Sequence, residues 1–243
     1  MKNKSNYVKV ASYEVKEPVK KVVLLYSGGL DTSCMLKWLQ DEYKCQVVTL
    51  TLDIGQQGDD LAAIQKKALK FGAVKALIVD AKQEFASEYL ALGIKANACY
   101  QGDYHLSTPM GRPLLAKWAV KIAEQEGAQA IAHGCTGKGN DQVRIEGSAL
   151  CLNPNIKMIA PVREWDMDRN EEIKYAQKYG IPVPADIDFP YSVDDNMWGM
   201  TWEGGEIEDP KLIPPVEKFL TTYTLAEKAP EVPEYVKLTF KNG

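Results

Sequence analysis

The stretch LLYSGGLDTSCMLKWL, residues 24 to 39, decides the fold of this chain. An apolar run ends at two glycines, a cluster of Asp, Thr and Ser follows, and apolar residues then recur at helical spacing. This order is typical of a buried strand, a tight loop and a helix. Glycines let the backbone approach a ligand, and N–H groups of a first helical turn attract anions. We therefore predict an anion-binding loop after the first strand.

A plain strand-to-helix turn, capped by Asp31 or Thr32, is the alternative for this loop. It accounts poorly for six polar or glycine positions at one strand end. Those positions are Ser27, Gly28, Gly29, Asp31, Thr32 and Ser33.

Strand and helix patterns alternate over the first two thirds of the chain. Strands are predicted at 21–26, 45–55, 74–80, 128–134 and 156–162, and helices at 32–43, 59–72, 112–127 and 169–184. Repeated units of this kind predict an α/β fold, with a twisted parallel sheet covered by helices on both faces. Residues 186–215 show no period and are predicted to be irregular, whereas 234–243 alternates like a strand.

Composition excludes several classes of protein. The 243 residues carry a formal net charge of −4, which argues against a nucleic-acid partner. Five cysteines without a C-x-x-C spacing, and two histidines, argue against a disulfide framework and a zinc site. The sequence shows neither a signal peptide nor a membrane span. We therefore expect a cytoplasmic protein with no membrane partner.

A second glycine-rich stretch, AHGCTGKGNDQVRIE, occupies residues 132–146 after the fourth predicted strand. It fits neither the Walker pattern nor the dinucleotide fingerprint, because Gly139 follows Lys138 and Gln142 stands where a third glycine is needed.

The two stretches carry a resemblance to a known family. YSGGLDTS resembles the phosphate loop of the PP-loop ATP pyrophosphatases, and residues 132–146 resemble the signature of the argininosuccinate synthase family, with Ile145 replacing the usual Phe. Further similar stretches are DIGQ (53–56), GDYHLSTPMGRPLLAK (102–117), IKMIAPVREW (156–165), YGIPVP (179–184) and YSVDDNMWGMTWEGGEIEDP (191–210).

The resemblance implies a fold and a division into domains. It implies an adenine nucleotide alpha hydrolase-like sheet over residues 21–165, after an N-terminal extension at 1–20. Residues 166–243 would begin an α+β substrate domain, which we expect to be incomplete because the family's chain continues further. The family's later Glu and Tyr have no counterpart here, so a homo-oligomer or a second chain would complete the pocket.

The resemblance also implies a reaction. The family joins citrulline to aspartate with ATP and Mg²⁺, through a citrullyl-adenylate, releasing AMP and pyrophosphate. Such chemistry needs in-line placement and charge neutralisation more than a protein nucleophile. We assign no catalytic residue and no metal ligand from the protein, and expect Mg²⁺ to arrive with ATP. Positioning would fall to Asp31, Lys138 and Asp141.

Matched position by position, the resemblance implies three groups of site residues. ATP would contact Tyr26, Ser27, Gly28, Gly29, Leu30, Asp31, Thr32, Ser33, Leu52, Gln56, His133, Gly134, Cys135, Thr136, Gly137, Lys138, Gly139 and Asn140. Aspartate would contact Thr136, Asn140 and Asp141. Citrulline would contact Tyr104, Thr108, Asn140, Arg144, Ser192 and Thr201.

Other interpretations stay open at this point. Pro109 stands where the family has a small residue, Leu52 replaces a smaller neighbour of the adenine, and Thr201 replaces Ser. The chain could be another PP-loop adenylating enzyme with a different acceptor, or a non-catalytic ATP-binding remnant. Trp198 and Trp202 are predicted either to pack in the core or to cover the site as a lid.

Overall fold

A computed structural model describes residues 18–58, 60–137, 139–165, 167, 169–183, 191–219 and 224–241. Among these residues no helix is both long and apolar enough to cross a lipid bilayer.

Five parallel strands form the central sheet, in the order β3-β2-β1-β4-β5. They are β1 Lys21–Leu25, β2 Gln46–Asp53, β3 Lys75–Asp80, β4 Ala130–Ala132 and β5 Lys157–Ile159. In the central register Val22 of β1 lies between Val47 of β2 and Ala130 of β4. The chain moves outward from β1 to β3 and then returns to the other side of β1. The crevice between β1 and β4 is therefore the switch point at which open α/β sheets bind ligands.

Helices connect the strands. The α-helices are α1 Leu30–Glu42, α2 Leu61–Lys70, α3 Lys82–Glu84, α4 Ala91–Lys95, α5 Arg112–Glu126, α6 Asp141–Leu152, α7 Pro161–Glu164 and α8 Arg169–Lys178. A π-helical turn spans Phe85–Leu90, and 3₁₀ turns span Pro109–Gly111, Gly205–Glu208, Val216–Phe219 and Ala226–Lys228.

The two faces of the sheet are covered by different helices. Successive side chains of a strand point to opposite faces. Val23 and Val48 accordingly pack in one buried cluster with residues of α5 and α6, such as Leu114. Val22 and Leu24 pack in the other cluster with residues of α1, such as Leu36. The predicted fold class, a parallel sheet with helices on both faces, is confirmed.

An antiparallel hairpin follows the central sheet. Strand β6, Tyr191–Asn196, pairs with β7, Gly199–Gly204, and Ser192 lies opposite Glu203. The prediction of an irregular segment over 186–215 is wrong for this part. The sequence pattern does not predict the hairpin, because most of its side chains are exposed or only partly buried and its residues therefore show no apolar alternation.

The strand predicted at 234–243 is also wrong over the described residues 234–241, which pair with no other strand of the described chain. Tyr235 is 90% exposed and Phe240 81% exposed. An alternating pattern forms a strand only where a second strand is available to share its hydrogen bonds.

Candidate functional site

Hydroxyl groups hold the loop after β1 in one conformation. The Tyr26 and Ser33 hydroxyl oxygens lie 2.9 Å apart, and the Ser33 hydroxyl donates to the Gly29 carbonyl at 2.6 Å. Thr51 of β2 donates to the Tyr26 carbonyl at 2.7 Å. These bonds join two neighbouring strands to the first turn of α1, so the loop is preorganised before any ligand binds.

The backbone of this loop lies tightly against α2. Gly28 has a φ of +81°, and a Cβ placed on it would lie 2.7 Å from Cγ1 of Ile64. The Lys67 ammonium donates to the Gly28 carbonyl at 2.7 Å. Gly29 caps α1, and no side-chain bond satisfies its first N–H groups, so the Asp31 or Thr32 cap considered above is wrong. Those N–H groups at the positive end of the helix are suited to an anion.

The loop after β4 is held from behind by a buried histidine. His133 is 1% exposed, and its Nδ1 accepts from the Cys135 backbone N–H at 3.2 Å. Its other nitrogen therefore carries the proton and donates to Glu146 of α6 at 3.0 Å. A Cβ on Gly134 would lie 2.8 Å from Cε of Met35, so the loop approaches α1 closely. These contacts support a structural role for His133 more than a chemical one.

Charges behind the second loop are balanced. Arg163 of α7 forms an ion pair with Glu146, and its Nη1 donates to Gln142 at 2.9 Å. Burial raises the pKa of Glu146, but the bond from His133 and the charge of Arg163 outweigh it and hold the pKa below its ordinary value. Gln142 in turn donates to the Gly137 carbonyl at 2.8 Å. Lys138, predicted to contact ATP, lies outside the described residues.

A cavity of about 830 Å³ opens between the two loops, the segment 104–112 and the hairpin. The site residues predicted from the sequence that line it are Tyr26, Ser27, Thr32, Leu52, Gln56, Tyr104, Thr108, His133, Gly134, Cys135, Thr136, Gly139, Asn140, Asp141, Arg144 and Thr201. The structure thus brings members of all three predicted groups to one cavity.

Some predicted residues do not line the cavity. Leu30 and Ser33 are buried, at 4% and 0% exposed, and Ser33 supports the first loop from beneath. Ser192 is exposed on β6. The remaining described residues outside the lining are Gly28, Gly29, Asp31 and Gly137.

Two arginines meet the carboxylate of Asp141, the first residue of α6. Arg144 Nη1 donates to Asp141 Oδ1 at 2.8 Å. Arg112 Nε donates to Asp141 Oδ2 at 2.8 Å, and its Nη2 reaches Asp194 of β6 at 2.7 Å. Positive and negative groups therefore alternate at this end of the cavity, an arrangement that suits a zwitterionic amino acid.

Sequence reasoning missed several lining residues. Among them are Thr51, Arg112, Asp194, Asp195, Asn196 and Glu203. A signal for Arg112 was present, because it begins α5, where the helix dipole disfavours a cation. The acidic residues of the hairpin gave no such signal, since a polar run in an apparent loop is ordinary.

The hairpin closes one side of the cavity through its turn. Asn196 donates to the Ser107 carbonyl at 2.9 Å, and the Trp198 indole donates to the His105 carbonyl at 2.8 Å. The Met197 N–H donates to the Ile54 carbonyl at 3.0 Å. Trp202 lies elsewhere and packs against Phe219, with ring centroids 4.8 Å apart and the rings tilted by 39°. The two tryptophans therefore do not form a pair, and Trp198 anchors the hairpin.

Two further predicted positions have clear neighbours. The hydroxyls of Tyr104 and Thr108 lie 3.3 Å apart, next to the buried Pro109 that begins a 3₁₀ turn. Gln56 accepts from the Ile54 N–H and donates to the Leu52 carbonyl, both at 2.8 Å, which folds the segment after β2 onto itself.

Cys135 lines the cavity, and its surroundings disfavour the thiolate form that a nucleophilic role would need. Burial, together with the nearby Asp141 carboxylate, raises the pKa of its thiol to about 12. Thiolate attack therefore contributes little here, and the site offers chiefly hydroxyls, backbone N–H groups and paired charges. Such a site can bind and orient a phosphorylated substrate.

Comparisons with known proteins agree with these features. Residues 21–182 match the family model described as Arginosuccinate synthase N-terminal HUP domain, and residues 191–243 match that of the Arginosuccinate synthase C-terminal domain.

Curated relatives named argininosuccinate synthase align with 92% of this chain. The relative from Oceanobacillus iheyensis is 52% identical over 223 residues, which cover 53% of its own length. The one from Geobacillus thermodenitrificans is 53% identical over 223 residues, 54% of its length. The one from Symbiobacterium thermophilum is 51% identical over 224 residues, 56% of its length. The chain spans about half the length of the curated relatives it matches. On the matched models and these identities, the chain belongs to the argininosuccinate synthase family.

Proposed function

We propose that this chain binds ATP with Mg²⁺ and takes part in the ligation of citrulline and aspartate to argininosuccinate. The observation that carries the proposal is the meeting of two glycine-rich loops and a paired Asp141 in one cavity at the switch point of the sheet. Membership of the argininosuccinate synthase family supports the choice of substrates.

ATP would lie along the two loops. The phosphates would meet the N–H groups at the start of α1 and the hydroxyls of Ser27 and Thr32, which lie 3.2 Å apart. Leu52, which lines the cavity near the end of β2, would offer an apolar contact for the base. Mg²⁺ would bind together with the ATP phosphates and neutralise part of their charge.

The two amino acids would occupy the Asp141 end. Asp141 would accept from the α-amino group of aspartate, with Thr136 and Asn140 donating to a carboxylate. Arg144 uses Nη1 for Asp141, which leaves the rest of its guanidinium to meet the citrulline carboxylate. Tyr104, Thr108, Ser192 and Thr201 would complete that pocket.

In this proposal the site promotes the reaction by placing ATP, citrulline and aspartate next to one another. The ureido oxygen of citrulline would attack the α-phosphorus of ATP, and pyrophosphate would leave in line. The aspartate amine would then displace AMP from the citrullyl-adenylate. The preorganised loops lower the cost of aligning three reactants, which is the main contribution that such a site can make.

The test is pyrophosphate release by this 243-residue chain with ATP and Mg²⁺, with and without citrulline, followed by addition of aspartate. We expect release that requires citrulline, and transfer of ¹⁸O from ureido-labelled citrulline into AMP once aspartate is added.

A pair of variants sharpens this test. Arg144→Gln should raise the citrulline KM at least tenfold, whereas Lys66→Gln, an exposed charge on α2, should leave it unchanged. ATP binding without citrulline-dependent release would overturn the proposed reaction and favour a nucleotide-binding module. Release that depends on another acceptor would favour a different adenylating enzyme.

A further inference from the structure

Arg112 joins two parts of the molecule that are far apart in sequence. Its guanidinium touches Asp141, 29 residues later at the start of α6, and Asp194, 82 residues later on the hairpin. The side chain is 18% exposed, whereas Asp194 is 51% exposed. The partly buried Arg112 guanidinium thus connects helix α6 to strand β6 of the hairpin that closes the cavity.

The electrostatics of this bridge favour a fixed geometry. Burial would lower the pKa of Arg112, but the charges of Asp194 and Asp141 outweigh burial and raise it. A planar guanidinium can bond two carboxylates in different directions at once, which a lysine ammonium does less well. Arg144 bonds the other oxygen of Asp141, so both oxygens of that carboxylate have a fixed donor.

Four other hydrogen bonds of the hairpin differ in kind. They join hairpin groups to backbone atoms of Ile54, Gln57, His105 and Ser107. The contact through Arg112 also reaches a residue proposed to bind the amino group of a substrate. A shift of the hairpin is therefore expected to move Asp141 through Arg112.

We propose that Arg112 is a positioning residue that couples the seating of the β6–β7 hairpin to the orientation of Asp141. Closer packing of the hairpin against the cavity would then make Asp141 bind the substrate amine more tightly. The part that concerns aspartate rests on the proposed function, whereas the coupling of hairpin and α6 does not.

Hydrogen exchange tests the coupling without any activity. Arg112→Gln, Arg112→Lys and Asp194→Asn should each raise amide exchange in the hairpin and the first turn of α6 about fivefold, as expected for a partly buried ion pair. Amides of β1 and β2 should keep their protection. Lys117→Gln is the matched control, because Lys117 lies on α5 and pairs with Glu84 and Glu88 instead.

The lysine variant separates geometry from charge. If Arg112→Lys exchanges like the unmodified protein, charge alone matters and the bridging role is overturned. Unchanged exchange in Asp194→Asn overturns the coupling as well. That variant changes only a half-exposed carboxylate, so it decides the matter even if the Arg112 variants fail to fold.

Kinetics tests the link to the substrate. Arg112→Gln should raise the aspartate KM about tenfold and the citrulline KM by less, because Ser192 and Thr201 of the loosened hairpin belong to the proposed citrulline pocket. Asp194→Asn should raise the aspartate KM in the unmodified protein and add little in Arg112→Gln, as for two residues acting as one unit. Additive effects on the aspartate KM would overturn the coupling.

If the unmodified chain shows no citrulline-dependent pyrophosphate release, the proposed function fails. Amide exchange at α6 then decides the positioning role of Arg112 by itself.

Discussion

Glu172 of α8 places a buried carboxyl group beside the loop that follows β1. Arg169 Nη1 bonds Asp31 at 2.7 Å and Glu172 at 3.0 Å, while Glu172 Oε1 is buried and has no hydrogen-bond partner in the described chain. Burial, with the nearby Asp31 carboxylate, raises the pKa of Glu172 to about 7 against the opposing charge of Arg169. The Cys34 thiol, which faces the Glu172 carbonyl at 3.9 Å, is also buried.

The raised pKa of Glu172 predicts that the stability of the folded chain depends on pH. Between the unfolded pKa of 4.5 and the folded value of about 7, the folded chain holds a proton that the unfolded chain has lost. The stabilisation by protonated Glu172 is therefore complete below pH 4.5 and is lost as the pH rises through 7. Glu172→Gln imitates the protonated group, so it should raise the free energy of unfolding at pH 8 by on the order of 2 kcal/mol and change it little at pH 4.5.

Urea titrations of both proteins at several pH values check this prediction. The difference between the two curves isolates Glu172 from other titrating groups. An equal difference at low and high pH would mean that folding does not raise the pKa of Glu172, and would contradict the prediction. Glu171→Gln, a change to a partly buried neighbour in the sequence, serves as the control.

At the scale of elements, the hairpin is seated by its turn. Asn196 is 8% exposed and uses both ends of its amide: Nδ2 donates to the Ser107 carbonyl, and Oδ1 accepts from the Trp198 N–H at 2.8 Å. One side chain therefore shapes the turn and fixes it to the segment that precedes α5. Such a contact contributes most where it is shielded from water.

We expect Asn196→Ala to loosen the hairpin and leave the central sheet intact. Asn196→Ala loses two partly buried hydrogen bonds, each worth about 0.5–1.5 kcal/mol, so the local stability should fall by about 1–3 kcal/mol. Thermolysin cleavage within 191–204, followed by mass spectrometry, measures the opening of the hairpin, and its rate should rise at least fivefold. Asn155→Ala, at an exposed loop position, should not change this rate. Equal cleavage of both variants would show that other contacts seat the hairpin.

At the scale of the whole molecule, the five free cysteines lie at different depths. Cys34 and Cys45 are 0% and 7% exposed, whereas Cys151 is exposed on α6. Burial raises the pKa of Cys34 to about 12, helped by nearby Glu172, and that of Cys45 to about 11. An alkylating reagent needs access to the sulfur and the thiolate form, and both are disfavoured at Cys34 and Cys45 in the folded protein.

Alkylation with iodoacetamide at pH 8 should modify Cys151 in the folded protein, at least a hundredfold faster than Cys34 or Cys45. The two core thiols should react only through global unfolding, so their rates should rise together as urea is added. Peptide mass mapping follows each site separately. Early reaction of Cys34 alone would mean that α1 and α8 separate without unfolding of the sheet.

Local patterns in the sequence determined much of the fold. All five predicted sheet strands are present, each within or at the bounds expected, because buried apolar runs ending at loops need no distant partner to be recognised. Boundaries were less accurate: the helix predicted at 169–184 ends at Lys178. Both glycine-rich loops were also found from the sequence, since their chemistry lies in consecutive residues.

Only the tertiary structure decided how these parts meet. The sheet order brings the loops after β1 and β4 together, and the hairpin 191–204 exists through cross-strand bonds and its contacts with 104–108, without an apolar period. Arg112 acquires its partners from residues 29 and 82 positions away. Short-range periodicity and turn chemistry are written in neighbouring residues, whereas charge pairing across a cavity depends on which elements the folded chain places side by side.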